Sequence, residues 1–414
     1  MKIAFLTRQF PTEKQYTGGV GSYVLKMALA LAEAGHEPEV FVTSTESADT
    51  LVYQGIRVQR VPYRRTLPDR VILRLGRSLT GRFWPLFQTG FCAWKLARAL
   101  AQRQRHVVFD IVQSSNFGLT GCFVRRSGAQ RHLVRISTSR ILYSDDDVAP
   151  ETADRLTERL DVRILKRSDV AYAPSSYLAD YFRSRYDLPV QVLRPPHTFA
   201  FEHVETLPWT LPRRFLVHYG NLGRRKGSNL LAQALPLAWA REPGITMVWA
   251  GRESEQKLFD RFQYLWGERS QQVTWLGPVD RRLLYGVIKH ADAAVLPSIV
   301  DNLPNTVIES LALGVPVIGS NGASIDELVD PGRNGELVPI GDVTALADAM
   351  VRTWRNEVPW LGANFQRPTI FDEMTPSEAV KRFLLLADSD ATTATTPECA
   401  EHPDRRERVP ERHP

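Results

Sequence analysis

Two carboxylates eight residues apart, Asp301 and Glu309, stand where a strand gives way to a helix. The apolar run Ala293–Leu296 predicts the strand, and the pattern of Thr306–Leu313 predicts the helix, with Thr306 or the residue before it as N-cap. Ligands of open parallel sheets collect at the carboxyl ends of the strands, and the amides of a helix N-terminus suit a phosphate there. Carboxylates beside a phosphate site accept hydrogen bonds from sugar hydroxyls. The pattern therefore predicts a nucleotide-sugar site.

A basic, glycine-rich turn from Gly220 to Gly227 follows another predicted strand, Phe215–Tyr219, and precedes a helix that starts near Ser228. Its cations are Arg224, Arg225 and Lys226. Lysine supplies a point charge and arginine a bidentate fork, and both suit a diphosphate. The alternative interpretation is a solvated basic turn on the protein surface.

The elements that must position these groups repeat along the chain as apolar strands alternating with helical segments. A chain of 414 residues with this alternation predicts two α/β domains. The first opens with the strand Lys2–Leu6, a loop that ends in TGGVG, the helix Ser22–Ala34 and the strand Val40–Thr43. Three widely spaced cysteines predict neither a disulfide framework nor a metal site, and they fit a reducing cytoplasm.

No apolar run approaches the ~20 residues that a membrane-spanning helix needs, and the N-terminus lacks the features of a signal peptide. The charge is nevertheless uneven. Residues 1–200 hold 29 Lys and Arg against 18 Asp and Glu, whereas the remaining residues hold 23 against 28. This asymmetry indicates an acidic partner for the first half, with a merely well-solvated surface as the alternative.

Most of the excess lies in residues 60–105, where Asp69 is the single acidic residue and aromatic residues are interleaved with arginines. Arg70, Arg74 and Arg77 fall on one helical stripe. Such a segment can lie on an anionic membrane surface, or it can pack its aromatic side chains inward and leave the arginines in water. No nucleic-acid-binding motif accompanies the charge, so we expect no nucleic-acid partner.

Taken together, the stretch around Asp301 and Glu309 resembles the donor signature of retaining glycosyltransferase family four. The matching residues that follow the two acids are Ala312, Gly314, Pro316 and Val317. Lys226 and Gly227 match the Lys-Gly pair of the family's basic turn, whereas the family's arginine falls on Asn221. The phrase SDVAYAPSSYLADYF resembles the last strand and helix of the family's first domain. The DNLPNT-type loop is a frequent variant in enzymes that build exopolysaccharides and surface glycans.

The resemblance implies the GT-B fold, which consists of two Rossmann-like α/β domains that face each other across a cleft. We expect an acceptor-side domain at residues 1–200, a donor domain at 213–370, a helix at 371–388 that crosses back to the first domain, and a disordered tail at 389–414. Gly18 and Gly19 would approach the donor's diphosphate from the first domain.

The resemblance also implies site residues within the donor domain. Lys226 would stabilise the leaving diphosphate, helped by Arg224 or Arg225, which would replace the charge missing at Asn221, and by the amides near Thr306. Glu309 would hold the ribose of a UDP- or GDP-linked sugar, and Asp301 would hold the donor sugar together with Asn302 and Leu303. Neither a metal nor a cofactor is expected. The acceptor would be a glycan or a lipid-linked acceptor. We expect the enzyme to be cytoplasmic, or peripheral at the inner face of the plasma membrane through its basic residues 60–105.

The acceptor side departs from the family. Members often carry histidines after two strands of the first domain, and the corresponding positions here are Gln113, Ser115 and Ser137. In a retaining front-face reaction the leaving phosphate can take the acceptor proton, so transfer does not require these histidines. A non-catalytic GT-B subunit that binds glycan or a partner is the main alternative, and a nucleotide-sugar epimerase is another. The acidic run Asp145–Asp147 is expected to be a solvated loop.

Overall fold

We describe the protein from a computed structural model. It describes residues 1–13, 19–45, 47–64, 66–125, 127–143, 152–199, 201–202, 204 and 206–388, with the side chain of Ala363 set aside. The predicted tail at 389–414, Gly18 and the acidic run Asp145–Asp147 lie outside the described residues. The chain divides into two compact units, one formed by Met1–His197 with the residues from Glu373 onward, and one formed by Thr198–Asp372.

The first unit is an eight-stranded sheet with helices between its strands. Its strands are β1 (Lys2–Thr7), β2 (Glu37–Ser44), β3 (Thr50–Tyr53), β4 (Ile56–Pro62), β5 (Ile111–Ser115), β6 (Arg131–Arg135), β7 (Val170–Ala173) and β8 (Val190–Val192). Its helices are α1 (Gly19–Glu33), α2 (Leu67–Thr80), α3 (Trp84–Arg103), α4 (Thr152–Arg167) and α5 (Ser176–Tyr186). The strand order is β3-β4-β2-β1-β5-β6-β7-β8, and every pair is parallel except β3 with β4.

The second unit is a six-stranded sheet in which all pairs are parallel. Its strands are β9 (Leu216–Leu222), β10 (Met247–Glu253), β11 (Val273–Trp275), β12 (Ala293–Leu296), β13 (Val317–Ser320) and β14 (Gly335–Val338), in the order β11-β10-β9-β12-β13-β14. Its helices are α6 (Ser228–Arg241), α7 (Leu258–Trp266), α8 (Arg281–Lys289), α9 (Asn305–Ala312) and α10 (Val343–Trp354). Because β9 and β12 are neighbours, the loops that follow them start at the same edge of the sheet.

Two short segments end the described chain, α11 (Ile370–Glu373) and α12 (Pro376–Asp388). The helix α12 packs on the first unit, where Phe383 stacks on Phe5 of β1 with ring centroids 6.4 Å apart. The expected single helix at 371–388 is thus two helices, because Pro376 lacks the amide that a continuous helix would need there.

Both cores are apolar and lie between sheet and helices, as the strand patterns predict. Trp239, Trp249 and Trp266 anchor the core of the second unit, and their rings meet edge to face. The parallel strands of both units are buried along most of their length, which is why they read as continuous apolar runs in the sequence. Within the described ranges, no helix is both long enough and apolar enough to cross a membrane.

Candidate functional site

The turn between β9 and α6 packs directly against the chain that leaves β12. Gly227 has φ of +73°, and a Cβ built on it would overlap the carbonyl oxygen of Pro297. The backbone N–H of Ile299 donates to the carbonyl oxygen of Arg225 at 2.9 Å. Glycine is required at this position both by the left-handed backbone and by the close approach. The two strand-end loops therefore form one continuous structure.

A lysine and a carboxylate meet where these loops touch. Lys226 Nζ lies 2.5 Å from Asp301 Oδ2, and the two side chains are 25% and 17% exposed. Ser298 Oγ donates to the same oxygen at 3.3 Å, and the N–H of Asn302 donates to Asp301 Oδ1 at 3.0 Å. The structure thus brings together two of the three residues to which the sequence assigns chemistry, although 75 positions separate them.

A buried chain of hydrogen bonds also stabilises the contact between the turn after β9 and the loop after β12. The N–H of Gly223 donates to Ser228 Oγ at 2.9 Å, and this hydroxyl lies 2.9 Å from Nε2 of His218. The carbonyl oxygen of Val295 can only accept, so Nδ1 carries the ring proton and donates to it at 2.7 Å, and Nε2 accepts the proton of the Ser228 hydroxyl. The chain of bonds holds the turn after β9 to the neighbouring strand β12.

Burial lowers the pKa of His218 to about 4, and the nearby Lys226 ammonium lowers it further, against the opposing effect of the hydrogen bond to Val295. The ring is therefore neutral at physiological pH, as its two hydrogen bonds require. His218 is therefore a buried, hydrogen-bonded strand residue.

Glu309 lies on α9 and is largely buried. Tyr285 OH donates to Glu309 Oε1 at 3.1 Å, and Arg281 Nη2 donates to the same oxygen at 3.3 Å. Burial raises the pKa of the Tyr285 hydroxyl, and the Glu309 carboxylate raises it further, so the hydroxyl keeps its proton and remains a donor. Both partners come from α8. Sequence reasoning missed them, because nothing in the pattern of α8 tells which of its residues face α9.

The helix α9 begins one residue earlier than predicted, and the predicted N-cap is wrong. The capping position is Pro304, and no side chain caps the helix, because the proline ring carries no hydrogen-bond acceptor. The N–H groups of Val307 and Ile308 donate to the carbonyl oxygen of Pro304 at 3.1 and 3.2 Å. The amides of Asn305 and Thr306 are those that the geometry of a helix N-terminus leaves without an intrahelical partner. Tyr219 OH donates to the carbonyl oxygen of Thr306 at 2.5 Å and lies 2.9 Å from Ser310 Oγ, which ties the start of α9 to β9.

The loop before α9 has a constrained backbone. Leu303 has φ of +51°, and its side chain is buried. Its N–H donates to Ser324 Oγ at 2.5 Å, and Ala323 and Ser324 also have positive φ. Branched or bulky residues in this region are strained and mark constrained, often functional, segments. Any contact of Leu303 with a ligand must therefore come from its backbone, since its side chain faces the interior.

The other cations of the turn are placed unequally. Arg225 and Asn221 are exposed, and Arg224 is half-buried. In the parallel pairing of β9 with β10, Asn221 lies directly opposite Arg252. Side chains at paired positions of neighbouring parallel strands project from the same face. Arg252, an exposed residue that sequence reasoning missed, therefore brings a positive charge beside the position at which the family pattern expects an arginine.

In the first unit, polar residues at the end of β5 and after β6 meet at the carboxyl edge of the sheet. Ser115 Oγ and Ser137 Oγ are 2.9 Å apart, and Gln113 Nε2 donates to the carbonyl oxygen of Ser114. Arg135 Nη1 donates to Ser137 Oγ at 2.6 Å. The structure thus brings together two of the three positions at which family members often carry histidines.

Gly19 is the first residue of α1, so this helix begins three residues earlier than the predicted Ser22.

Within the described segments, no three His, Cys, Asp or Glu side chains lie close enough together to hold a metal ion.

Comparison with known proteins covers both units. The family model "Glycosyltransferase Family 4" matches residues 17–196, and the model "Glycosyl transferases group 1" matches residues 213–356. A glycogen synthase of Mycobacterium tuberculosis is 26% identical over 84% of this chain and 85% of its own length. A D-inositol 3-phosphate glycosyltransferase of an Arthrobacter species is also 26% identical, over 81% of this chain and 83% of its own.

Solved structures give the same fold. The sucrose-phosphate synthase of Thermosynechococcus elongatus superimposes with a TM-score of 0.68 at 21% identity, over 93% of this chain and 96% of that one. The Anabaena protein HepE in complex with UDP and glucose superimposes with a TM-score of 0.63 at 16% identity, over 94% and 100% of the two chains. With two parallel-sheet units and a family match in each, the chain belongs to glycosyltransferase family 4 and has the GT-B fold.

Proposed function

We propose that this protein transfers a sugar from a nucleotide-diphosphate sugar to a hydroxyl group of a glycan or lipid-linked acceptor, with retention of the anomeric configuration. The observation that carries the proposal is the contact between Lys226 and Asp301 at the carboxyl edge of the second sheet. Lys226, a cation that suits a leaving diphosphate, and Asp301, a carboxylate that suits sugar hydroxyls, are thus adjacent.

The reaction breaks the bond between the anomeric carbon of the sugar and the diphosphate oxygen, and the electron pair goes to that oxygen. The acceptor oxygen bonds to the anomeric carbon on the same face, and its proton passes to the leaving diphosphate. Negative charge grows on the diphosphate during this step. Preorganised cations and amides aimed at growing charge are commonly the largest contribution to catalysis. Lys226 supplies the cation, and the first-turn amides of α9 near Thr306 supply the dipoles.

The remaining donor contacts follow from the placement of the carboxylates. Glu309 accepts hydrogen bonds from the ribose hydroxyls, in an orientation set by Tyr285 and Arg281. Asp301 and the constrained loop at Asn302 and Leu303 hold the donor sugar. Since Asp301 also bonds to Lys226, the residue that orients the sugar positions the cation that receives the leaving group.

We assign the charge missing at Asn221 to its strand neighbour Arg252, with Arg224 and Arg225 on the turn as further cations. The support is the register of β9 with β10, which pairs Asn221 with Arg252. An arginine fork at this position can bind a diphosphate in a bidentate manner. These cations take the part that a divalent metal plays in other transferases, so we propose a reaction that needs neither metal nor cofactor.

The donor is UDP- or GDP-linked in this proposal, and HepE, a structural neighbour in complex with UDP and glucose, supports the UDP alternative. The acceptor lies on the first unit, whose residues 1–200 carry a strong positive excess, and it belongs to polysaccharide or surface-glycan synthesis. The odd, widely spaced cysteines favour the cytoplasm as the compartment. The positive charge favours an acceptor with anionic groups.

Donor hydrolysis by the purified protein tests the proposal. UDP- and GDP-sugars are screened first by thermal shift, and release of the nucleotide from the best binder is then measured without acceptor. Lys226→Ala should lower the rate by about 10²–10³, the usual cost of one donor to a developing anion. Lys289→Ala, which removes an exposed lysine of the same unit, should leave the rate unchanged. Donor binding without any turnover would indicate the non-catalytic subunit, and conversion of the free donor to its epimer would indicate an epimerase.

A double-mutant cycle tests the central contact. Lys226→Met and Asp301→Asn should each reduce the hydrolysis rate strongly. The rate of the double variant should be only slightly lower than that of the less active single variant, because contacting residues couple by about 0.5–3 kcal/mol. Additive losses would show that the two residues act separately and would contradict the proposed arrangement.

A further inference from the structure

The helix α2 is held to the first unit by a narrow buried strip. Leu73 packs with Tyr63 and Phe91. A Cβ added to Gly76 would overlap the ring of Phe87, so the two helices α2 and α3 touch closely there. The rest of α2 is not covered by the fold.

One side of the uncovered part of α2 is apolar. Its exposed aliphatic side chains are Leu67, Val71, Ile72, Leu75 and Leu79, and each is between 40% and 83% exposed. Residues four apart advance by about 40° around a helix, so the four residues from Leu67 to Leu79 span an arc of about 120°. Isolated exposed leucines are ordinary, but a stripe three turns long on one helix marks an interaction surface.

A row of arginines borders this stripe. At about 100° per residue, Arg70, Arg74 and Arg77 lie between the apolar stripe and the buried strip, and all three are exposed. The one acidic residue in 60–105, Asp69, is buried and held by Lys95 at 3.0 Å. Asp69 is the one acidic residue of α2, and Lys95 already neutralises its charge, so no free carboxylate on this helix offsets the arginines.

The aromatic residues of this region do not form the exposed face. Phe91 is buried, and Trp84 and Phe87 stack on each other with ring centroids 5.8 Å apart and are half-buried. Trp94 is 39% exposed on α3, and the Arg98 guanidinium lies over its ring. Of the two alternatives from the sequence, inward packing therefore describes most of the aromatic side chains. The exposed apolar surface comes instead from the aliphatic residues of α2.

We infer that α2 lies flat in the interface of an anionic lipid bilayer, with the Leu67–Leu79 stripe in the headgroup and acyl boundary and Arg70, Arg74 and Arg77 against lipid phosphates. Helices with this division into apolar and cationic faces bind in the membrane plane. A second copy of the chain is a poorer occupant, because a two-fold contact through α2 would bring the arginine row against itself. The inference does not depend on the proposed transfer reaction.

Co-sedimentation of the full chain with vesicles tests it. One set contains phosphatidylcholine alone, and the other contains about one third phosphatidylglycerol. We expect binding to the anionic vesicles only, and weaker binding as the salt concentration rises from about 0.1 M to about 0.5 M. Each arginine near an anionic surface contributes about five-fold in affinity, so Arg70→Gln/Arg74→Gln/Arg77→Gln should bind about 100-fold more weakly.

The matched control is Arg155→Gln/Arg159→Gln/Arg163→Gln. It removes the same charge at four-residue spacing from exposed positions of α4 and should bind as the wild type does. Leu75→Ser/Leu79→Ser should lose about tenfold or more in affinity. Its control is Val52→Ser/Val108→Ser, which changes two highly exposed valines elsewhere on the unit.

Four results would overturn the inference: no binding to anionic vesicles, equal binding to neutral vesicles, equal losses in the α4 control, or dimerisation that Leu75→Ser/Leu79→Ser abolishes without an effect on vesicle binding. All these substitutions lie in the first unit at exposed positions, so donor hydrolysis measured without vesicles should be unchanged in each variant. Failure of membrane binding can therefore be told apart from failure of the transfer proposal.

Discussion

Lowering the pH should destabilise the second unit through His218. The imidazole is buried and neutral in the native state, with a pKa of about 4, whereas in the unfolded chain its pKa is near 6.5. Above pH 6.5 neither state is protonated, and stability is unaffected. As the pH falls from 6.5 towards 4, the unfolded chain binds a proton that the native ring does not. The free energy of unfolding should then decrease with pH by about 1.4 kcal/mol per pH unit.

Over this window the loss amounts to about 3 kcal/mol, and about 2 kcal/mol of it is reached by pH 5. Urea unfolding at pH 7, 6 and 5, followed by tryptophan fluorescence, measures it. The probe is favourable because the His218 ring lies 4.7 Å from the buried Trp249 ring. Most carboxylates titrate below this range, so the histidine contribution is separable from theirs.

His218→Gln should lower stability at pH 7, because the bonds to Ser228 and Val295 are disturbed, but it should lose the additional decrease between pH 7 and pH 5. His290→Gln is the control and should keep the wild-type decrease, because it leaves the buried ring in place. A decrease of the same size in His218→Gln and in the wild type would refute the neutral, buried imidazole and the hydrogen-bond chain built on it.

Further substitutions test other parts of the site. Gly227→Ala should lower the free energy of unfolding by well over the ~1–2 kcal/mol that a left-handed alanine costs, because its Cβ would overlap a carbonyl oxygen. Gly314→Ala is the control: Gly314 has φ of +77° and open space around it, so the loss measured by urea unfolding should be only that amount. Equal losses in the two variants would contradict the close approach at Gly227. Tyr285→Phe should raise the donor KM about fivefold with kcat nearly unchanged, since it removes one hydrogen bond to Glu309, the carboxylate that we propose binds the ribose, and a fall in kcat alone would contradict this role. Arg252→Ala should reduce kcat/KM for the donor about tenfold or more. An unchanged kcat/KM would indicate that Arg224 or Arg225, and not Arg252, supplies the charge that Asn221 lacks.

The architecture could be predicted from the sequence because its signals are local. Apolar runs bounded by glycine and proline predict a strand at Ala293–Leu296, a helix at Thr306–Leu313 and a second strand at Val315–Ile318. The structure has β12, α9 and β13 there, with β13 shifted by two residues to Val317–Ser320. The edge strand β3 was missed, since Thr50–Tyr53 is short and its burial pattern is mixed. The N-cap was misassigned, because capping preferences favour Thr and Asn, whereas the chain enters α9 through Pro304.

The site could be predicted only as a set of residues. That Lys226 and Asp301 are in contact depends on β9 and β12 being neighbours in the sheet, which no local pattern specifies. The same holds for Tyr285 and Arg281, whose roles come from the packing of α8 beside α9. The pairing of Asn221 with Arg252 depends on the register between β9 and β10, whose paired residues are 31 positions apart in the sequence. Local sequence propensity does not predict contacts between elements that are distant in the sequence.

The junction of Gly227 with Pro297 has a consequence for how the protein matures. The two loops are 70 positions apart along the chain, and the segments between them form several other elements. Contacts of such separation carry a large loop-closure entropy and form late, after local helices and strand pairs. The second unit would thus acquire most of its helical content before its two strand-end loops engage, and the proposed nucleotide-sugar site would be the last part of it to form.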